Sequence, residues 1–320
     1  MPLPLLPAES AVSDMKRLFA VVLLLTMLLC GCGQSTEPAP TAAPDPEPAS
    51  ATASPAVADA SQMTAVEEVV EDGMVPVGGD ALLDGDYAVT VACSSSMFRI
   101  VDCVLHVSGG SMTADLTMSG KSYLYVYPGT ALEAAAAEES SWIPYVETAD
   151  GSYCFTIPVD ALDAGIPCAA WSRNKELWYD RTLLFRLDSL PLSAFREGVL
   201  ATPESLGLSD GSYTVDVTLS GGSGRASVQS PAALRVENGS AWVQLLWSSP
   251  NYDYMKVGGE LYYPLQEEGN SLFEIPLPAF DHPISVIADT VAMSEPHEIT
   301  YRLVFASAGI APLEAGEQAA

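Results

Sequence analysis

Short runs of alternating apolar and polar residues recur along the chain from residue 84 onward. The clearest runs lie at residues 213–219, 242–247, 273–277 and 299–305, with Gly, Asn or Pro between them. A period of two places every second side chain on the same face of a strand, and helical candidates are confined to residues 130–139 and 192–196. The pattern therefore predicts an all-β fold of antiparallel strands.

An internal repeat divides this pattern into two copies. The sequence DGDYAVTV at residues 84–91 recurs as DGSYTVDV at 210–217, and FTIP at 155–158 recurs as FEIP at 273–276. The first copy is longer between these points, which places an insertion around residues 132–140. Short strands with regular turn signals are typical of immunoglobulin-like β-sandwiches. We expect two tandem sandwiches, at residues 70–190 and 207–310, each folding by itself.

Two dipeptides mark tight hairpins, Gly109-Gly110 in the first copy and Asn238-Gly239 in the second. A type I′ turn requires positive φ at both central residues, which glycine and asparagine adopt most readily. The sequence therefore predicts a two-residue turn at each position.

The N-terminal region, residues 1–32, has the features of a signal peptide. A basic Met15-Lys16-Arg17 precedes an uncharged run at residues 18–29, which is shorter than the roughly 20 residues of a spanning helix. The run ends in Leu-Cys-Gly-Cys, which resembles a bacterial lipobox and would place the diacylglyceryl group and palmitate on Cys32. An ordinary secretory signal is the alternative. The interpretation predicts an extracytoplasmic protein that is lipid-anchored to the bacterial cell membrane.

Composition separates the next segment from the rest. Residues 33–69 are rich in Pro and Ala and poor in large apolar side chains, so we expect a disordered tether. The whole chain carries 41 acidic and 13 basic residues, a net charge of −28. Such a charge repels phosphate backbones and excludes nucleic acid as a partner.

Four cysteines follow the signal peptide, all in the first copy: Cys93, Cys103, Cys154 and Cys168. An exported location permits disulfides. Pairing of neighbours along the chain is the local choice, buried free thiols are the alternative, and a zinc site lacks the usual paired spacing. The sequence leaves the oxidation state open.

Polar aromatic, sulfur and imidazole side chains gather near two strand ends of the second copy. The stretch at residues 247–255 ends an apolar strand in Ser-Ser-Pro and continues with Tyr252, Tyr254 and Met255. If that loop is extended, the two tyrosines face one side. Met293 and His297 precede the strand that contains Tyr301, and alternation places His297 and Tyr301 on one face. His297 is the candidate metal ligand, because imidazole suits iron, zinc and copper.

Each copy is similar to the NEAT (near-iron-transporter) domain, a haem-binding immunoglobulin-like sandwich of Gram-positive surface proteins. The likeness rests on a D-G-x-Y-x-V strand, a small-residue lip at residues 96–98, a G-G or N-G hairpin, an aromatic loop and a terminal strand. In that family the first tyrosine of a terminal Y-x-x-x-Y motif ligates the haem iron and the second supports it. The resemblance places Tyr179 and Leu183 of the first copy at these positions, opposite His297 and Tyr301 of the second.

These features predict a surface protein that binds haem or another metal complex in an uptake system, with ABC transporter components as partners. A cell-surface adhesion or protein-interaction module without a small-molecule ligand is the alternative. An enzyme is not expected, because the three histidines accompany no G-x-S-x-G, H-E-x-x-H or phosphate-loop motif.

Overall fold

The computed structural model describes residues 56–63, 66–292 and 295–313, which belong to one compact unit that begins at Ala53. The described chain is almost entirely antiparallel β-structure, so the predicted all-β fold is confirmed. Cys32 with the rest of the predicted signal peptide, and Met293, lie outside the described residues. None of the described helices has the length and apolar composition needed to cross a membrane.

The first copy forms two five-stranded sheets in the described residues. Their orders are β1-β3-β4-β8-β7 and β2-β10-β9-β5-β6. The strands are β1 Gly85–Ala88, β2 Val91–Cys93, β3 Ile100–Ser108, β4 Ser111–Met118, β5 Tyr123–Tyr127, β6 Ile143–Pro144, β7 Val146–Glu147, β8 Tyr153–Val159, β9 Gly165–Ser172 and β10 Leu177–Phe185. One α-helix, α1 (Ala131–Ala136), lies in the predicted insertion, where Thr130 and Glu133 form a reciprocal capping box.

The second copy forms one continuous sheet of eight strands in the order β15-β14-β17-β18-β11-β12-β13-β16. The strands are β11 Gly211–Gly221, β12 Ala232–Glu237, β13 Ser240–Leu246, β14 Tyr252–Val257, β15 Glu260–Tyr262, β16 Leu272–Leu277, β17 Ile284–Thr290 and β18 His297–Pro312. Short 3₁₀-helices complete the regular structure at Ala60–Gln62, Gly79–Ala81, Glu139–Ser141, Leu187–Ser189 and Leu192–Ala194.

The two copies share one strand order. The run β1-β3-β4-β8 corresponds to β11-β12-β13-β16, and β2-β10-β9-β5 corresponds to β11-β18-β17-β14. In the first copy the chain changes sheets between β1 and β2, whereas the single strand β11 pairs with both β12 and β18. The difference explains why the first copy has two sheets and the second has one.

The repeated D-G-x-Y motif makes the same contacts in both copies. The hydroxyls of Tyr87 and Tyr213 each donate to the carbonyl oxygen four residues earlier, over 2.9 and 2.8 Å. The carboxylates of Asp84 and Asp210 each accept from a backbone N–H of the hairpin turn, at Gly109 and Asn238. Both turns have positive φ at both central residues, as the glycine and asparagine signals predict.

Each copy has its own hydrophobic core. Leu105, Phe155 and Phe185 are fully buried in the first, and Trp247, Phe273 and Phe305 in the second. The inward-facing residues alternate with polar ones along each strand, which is the pattern the sequence shows.

A buried ion pair joins the two copies. Arg302 of β18 donates to the carboxylate of Asp163, which also accepts from the Leu187 N–H over 2.9 Å. Asp163 and Arg302 are 2% and 5% exposed. The corresponding residue of the second copy is Asp281, and its carboxylate accepts from Ser307 within the same copy. In the first copy, one oxygen of the Asp163 carboxylate instead contacts Arg302 of the second copy.

Two further contacts cross the same junction. Glu71 pairs with Arg186 over 3.3 Å and accepts from the Ser220 hydroxyl over 2.5 Å, which ties the segment before the first sandwich to both copies. The buried His282 ring packs edge-on against Phe195, with 5.0 Å between ring centroids. The junction is therefore polar, aromatic and largely shielded from water.

We expect acid to weaken the fold through His282. Burial lowers the pKa of His282 to about 4 from its ordinary value of 6.5. Above pH 6.5 the imidazole is neutral in both the folded and the unfolded chain. Between pH 6.5 and pH 4 it is protonated in the unfolded chain and stays neutral in the folded one. The free energy of unfolding should therefore fall by about 1.4 kcal/mol per pH unit in that window. Burial raises the pKa of Asp163, so protonation of this carboxyl in acid favours the folded chain and partly offsets the effect of His282.

Urea unfolding at pH 7 and pH 5 measures this dependence. His282→Phe keeps a ring against Phe195 and removes the proton, so the variant should lose less stability between the two pH values than the parent. An equal loss in both proteins would place the acid sensitivity elsewhere.

The four described cysteines are free thiols. The local pairs Cys93–Cys103 and Cys154–Cys168 are therefore not formed, and the members of each pair lie in different sheets and not on neighbouring strands. Burial raises the pKa of Cys103 and of Cys168 to about 12. These thiols remain protonated and behave as small core residues.

The last part of the predicted tether is ordered where the structure describes it. Val57 forms a parallel bridge to Trp178, and the Ala58 N–H donates to the Trp178 carbonyl over 2.9 Å. Glu67 likewise donates its N–H to the Ser94 carbonyl over 2.9 Å. Residues 56–58 thus lie beside the part of β10 that β2 leaves unpaired, an order that their composition does not indicate.

Candidate functional site

Two tyrosines predicted near a ligand, Tyr252 and Tyr301, lie together with Trp247 in the core of the second copy. Trp247, Tyr252 and Tyr301 are 0%, 7% and 3% exposed. The Tyr252 and Tyr301 hydroxyls are hydrogen-bonded to each other over 3.0 Å. Burial, and then this hydrogen bond, raises the pKa of Tyr252, so its phenol stays neutral. Both hydroxyls are already used inside the protein.

Tyr252 and Tyr254 do not share a face, which corrects the expectation from an extended loop. A β-bulge shifts the register between them, and residue 253 takes up the extra position. Tyr254 consequently lies on the outer surface and donates to Glu298 over 2.6 Å, beside Lys256. That hydrogen bond raises the pKa of Tyr254 to about 12.

His297 and Tyr301 cannot ligate one metal ion. They lie four residues apart on β18, a distance of roughly 13 Å in a strand. His297 is exposed at the strand end, whereas Tyr301 is buried. Met255 is fully buried in the core, and within the described residues no group of three or more His, Cys, Asp or Glu side chains is placed to hold a metal ion alone. The predicted residues of the second copy do not converge on a ligand.

The strand register also corrects the alignment of the two copies. Leu183 pairs with Cys93 on one side and Ile166 on the other, and Leu303 pairs with Leu219 and Ile284 in the same way. Leu183 therefore corresponds to Leu303. It follows that Arg181, two residues before Leu183, occupies the place of Tyr301.

Arg181 is a cation in the interior of the first copy, with 6% of its surface exposed. Its guanidinium donates to the Tyr123 hydroxyl over 3.3 Å and to the Asp180 carbonyl over 2.7 Å. It lies 5.2 Å from the centre of the Tyr179 ring, and its Nε is buried with no hydrogen-bond partner in the described chain. These contacts are neutral, and no described carboxylate forms an ion pair with it.

Tyr179 provides a phenol whose hydroxyl is not engaged by another described side chain, unlike the two buried phenols of the second copy. Its side chain is 9% exposed, and its hydroxyl forms no hydrogen bond to any described residue. The segment just before the lip borders the same strand, because Ser94 and Thr182 exchange two hydrogen bonds of 2.9 Å. The Phe98 ring contacts Tyr123 at 5.1 Å between centroids. Tyr179, Arg181 and the lip therefore meet at one end of the first sandwich.

The outer face of the same sheet is aromatic. Trp178 is buried beneath α1, and Trp142 and Trp171 are near-parallel, with 6.1 Å between ring centroids. The corresponding positions of the second copy are polar, with Asp289 and Glu298 in place of Trp171 and Trp178. The insertion of the first copy supplies Trp142 and α1, and so covers this face.

Arg181 is not among the residues that the sequence motifs indicate as a site. The alternation along β10 does indicate it. Arg181 lies two residues from both Tyr179 and Leu183, so its charged side chain shares their inward-facing side of the strand. An unpaired charge at a core-facing position marks a site more clearly than the exposed His297 does.

No protein-family model and no curated protein matches this chain. Among solved structures it is similar to the NEAT5 domain of IsdX2, a hemophore of B. anthracis, in complex with heme, at 14% identity and a TM-score of 0.26. That match covers 30% of this chain and 96% of the other. A point mutant of the same domain with heme matches at 15% identity and a TM-score of 0.27, over 31% and 96%. These scores are too low to establish a shared fold.

Proposed function

We propose that this chain is a non-enzymatic, lipid-anchored capture protein of the extracytoplasmic membrane surface. Its ligand is haem or a related flat metal complex, which it passes to ABC transporter components of an uptake system. The ligand binds to the first sandwich, with Tyr179 as the iron ligand. The second sandwich is a structural partner.

The observation that carries this proposal is the phenol of Tyr179, which has no hydrogen-bond partner among the described residues and lies on a buried cation. Tyrosine is an established axial ligand of haem iron in proteins. In the second copy both buried phenols are bonded to each other, and neither is available to a metal. These contacts favour the first copy over the second as the place where haem would bind.

Titration of haemin into the full-length protein tests the function. We expect a saturable shift of the Soret band with one haem per chain. The spectrum should be that of ferric haem with a phenolate ligand, because haem supplies the iron and the protein supplies the oxygen. A protein that leaves the haemin spectrum unchanged at micromolar concentrations would exclude capture and favour the adhesion module.

The lipid anchor has its own test. Cys32→Ala removes the thiol that the lipobox would modify, so the variant should lose lipid labelling and detergent partitioning and appear as an unprocessed or released protein. Cys93→Ala is the matched control, since this thiol lies within the first sandwich. A variant at Cys32 that still takes up labelled fatty acid would contradict the anchor.

A further inference from the structure

Exposed basic and acidic side chains lie together at the end of the first sandwich that contains Tyr179, where Lys121 pairs with Glu147 over 2.8 Å and Glu176 shares a turn with Arg173 and Lys175. Lys121 and Arg173 lie 5.2 and 5.6 Å from the Tyr153 ring centre, and Arg173 donates to the Tyr153 hydroxyl over 2.7 Å. The Arg173 N–H donates to the Ser122 carbonyl, next to Tyr123. Arg99, Lys121, Arg173 and Lys175 are exposed, whereas Arg181 is buried.

Arg181 is not required by the fold. Tyr301, a neutral residue, occupies the corresponding place in the second copy and forms the corresponding contact, to Tyr252 instead of Tyr123. A buried charge without an opposite charge costs free energy. Asp180, the nearest carboxylate in sequence, lies on the opposite face of β10 and accepts from the Ala131 N–H over 2.6 Å. The guanidinium therefore has an energetic cost that a ligand can offset.

Arg181 is a buried cation without an ion-pair partner among the described residues of a strongly acidic protein. The net charge of −28 repels anions from the molecule as a whole. Salt screens exposed charges beyond a Debye length of about 8 Å at physiological ionic strength, whereas a partly buried charge is screened much less. A ligand at Tyr179 would therefore experience mainly the field of Arg181.

We infer that the site at Tyr179 selects an anionic ligand, a flat metal complex that bears carboxylate groups, and that Arg181 is the residue that recognises the negative charge. The inference rests on the proposed function and deepens it. A complex of the same shape without free carboxylates binds more weakly.

Haemin and its dimethyl ester provide the comparison, because they differ only in the two carboxylates. We expect the full-length protein to bind the diacid roughly 10-fold or more tightly than the diester, as for a charged hydrogen bond. Arg181→Gln should remove most of this preference, and Arg181→Lys, which keeps the charge, should retain part of it. Arg235→Gln, which removes an exposed cation from the second sandwich, should leave the preference unchanged.

The outcomes separate this inference from the function. If the unaltered protein binds both compounds equally, haem capture stands and the charge selection by Arg181 is overturned. If neither compound binds, the proposed function itself fails. If Arg181→Gln does not fold, as its circular dichroism would show, the comparison of diacid and diester in the unaltered protein decides alone.

Discussion

Tyr179→Phe should abolish saturable haemin binding to the full-length protein. The substitution removes only the oxygen that would coordinate iron and leaves the ring over Arg181, so the fold and the cation–π contact are kept. Loss of a residue that merely supports a ligand costs roughly 10- to 100-fold in affinity, so loss of the ligand itself should cost more. Absorbance titration and the loss of the phenolate spectrum measure the effect.

Tyr301→Phe is the matched control. It removes one hydroxyl from the buried pair with Tyr252 and should cost about 1 kcal/mol of stability, with the haem spectrum unchanged. The reverse result, in which Tyr301→Phe alone abolishes binding, would move the site to the second copy. If both variants bind haemin with the affinity of the unaltered protein, neither tyrosine coordinates the iron.

Arg302→Met should destabilise the protein by about 3 to 5 kcal/mol, because it leaves Asp163 buried without its charge partner. Each sandwich has its own core, so the variant should also unfold in two steps where the parent unfolds in one. Calorimetry of the full-length protein reports both effects.

Asp281→Asn is the control for this experiment. Asp281 has the same positive φ as Asp163, but its carboxylate contacts Ser307 within its own copy. Its substitution should cost less and should leave the single transition intact. Adding Asp163→Asn to Arg302→Met should recover part of the loss, because a neutral amide is less costly to bury than an unpaired carboxylate. A single transition in Arg302→Met would show that other contacts couple the sandwiches.

Local sequence signals determined the class of the fold and its repeat. Alternating residues predict strands because side chains of a strand point to opposite faces, and the paired glycines and Asn238-Gly239 predict hairpins because they adopt positive φ. The helical candidate at residues 130–139 likewise contains α1. Each of these signals acts over a few residues and needs no distant partner.

The tertiary structure alone decided where the candidate site lies. A β-bulge turned Tyr254 away from Tyr252, and the register of β10 against β2 and β9 placed Arg181 where the second copy has Tyr301. The junction depends on Arg302 and Asp163, which are 139 residues apart in sequence. Alternation determines on which face of its strand a side chain lies. Hydrogen bonds between strands that are distant in sequence determine which side chains it contacts.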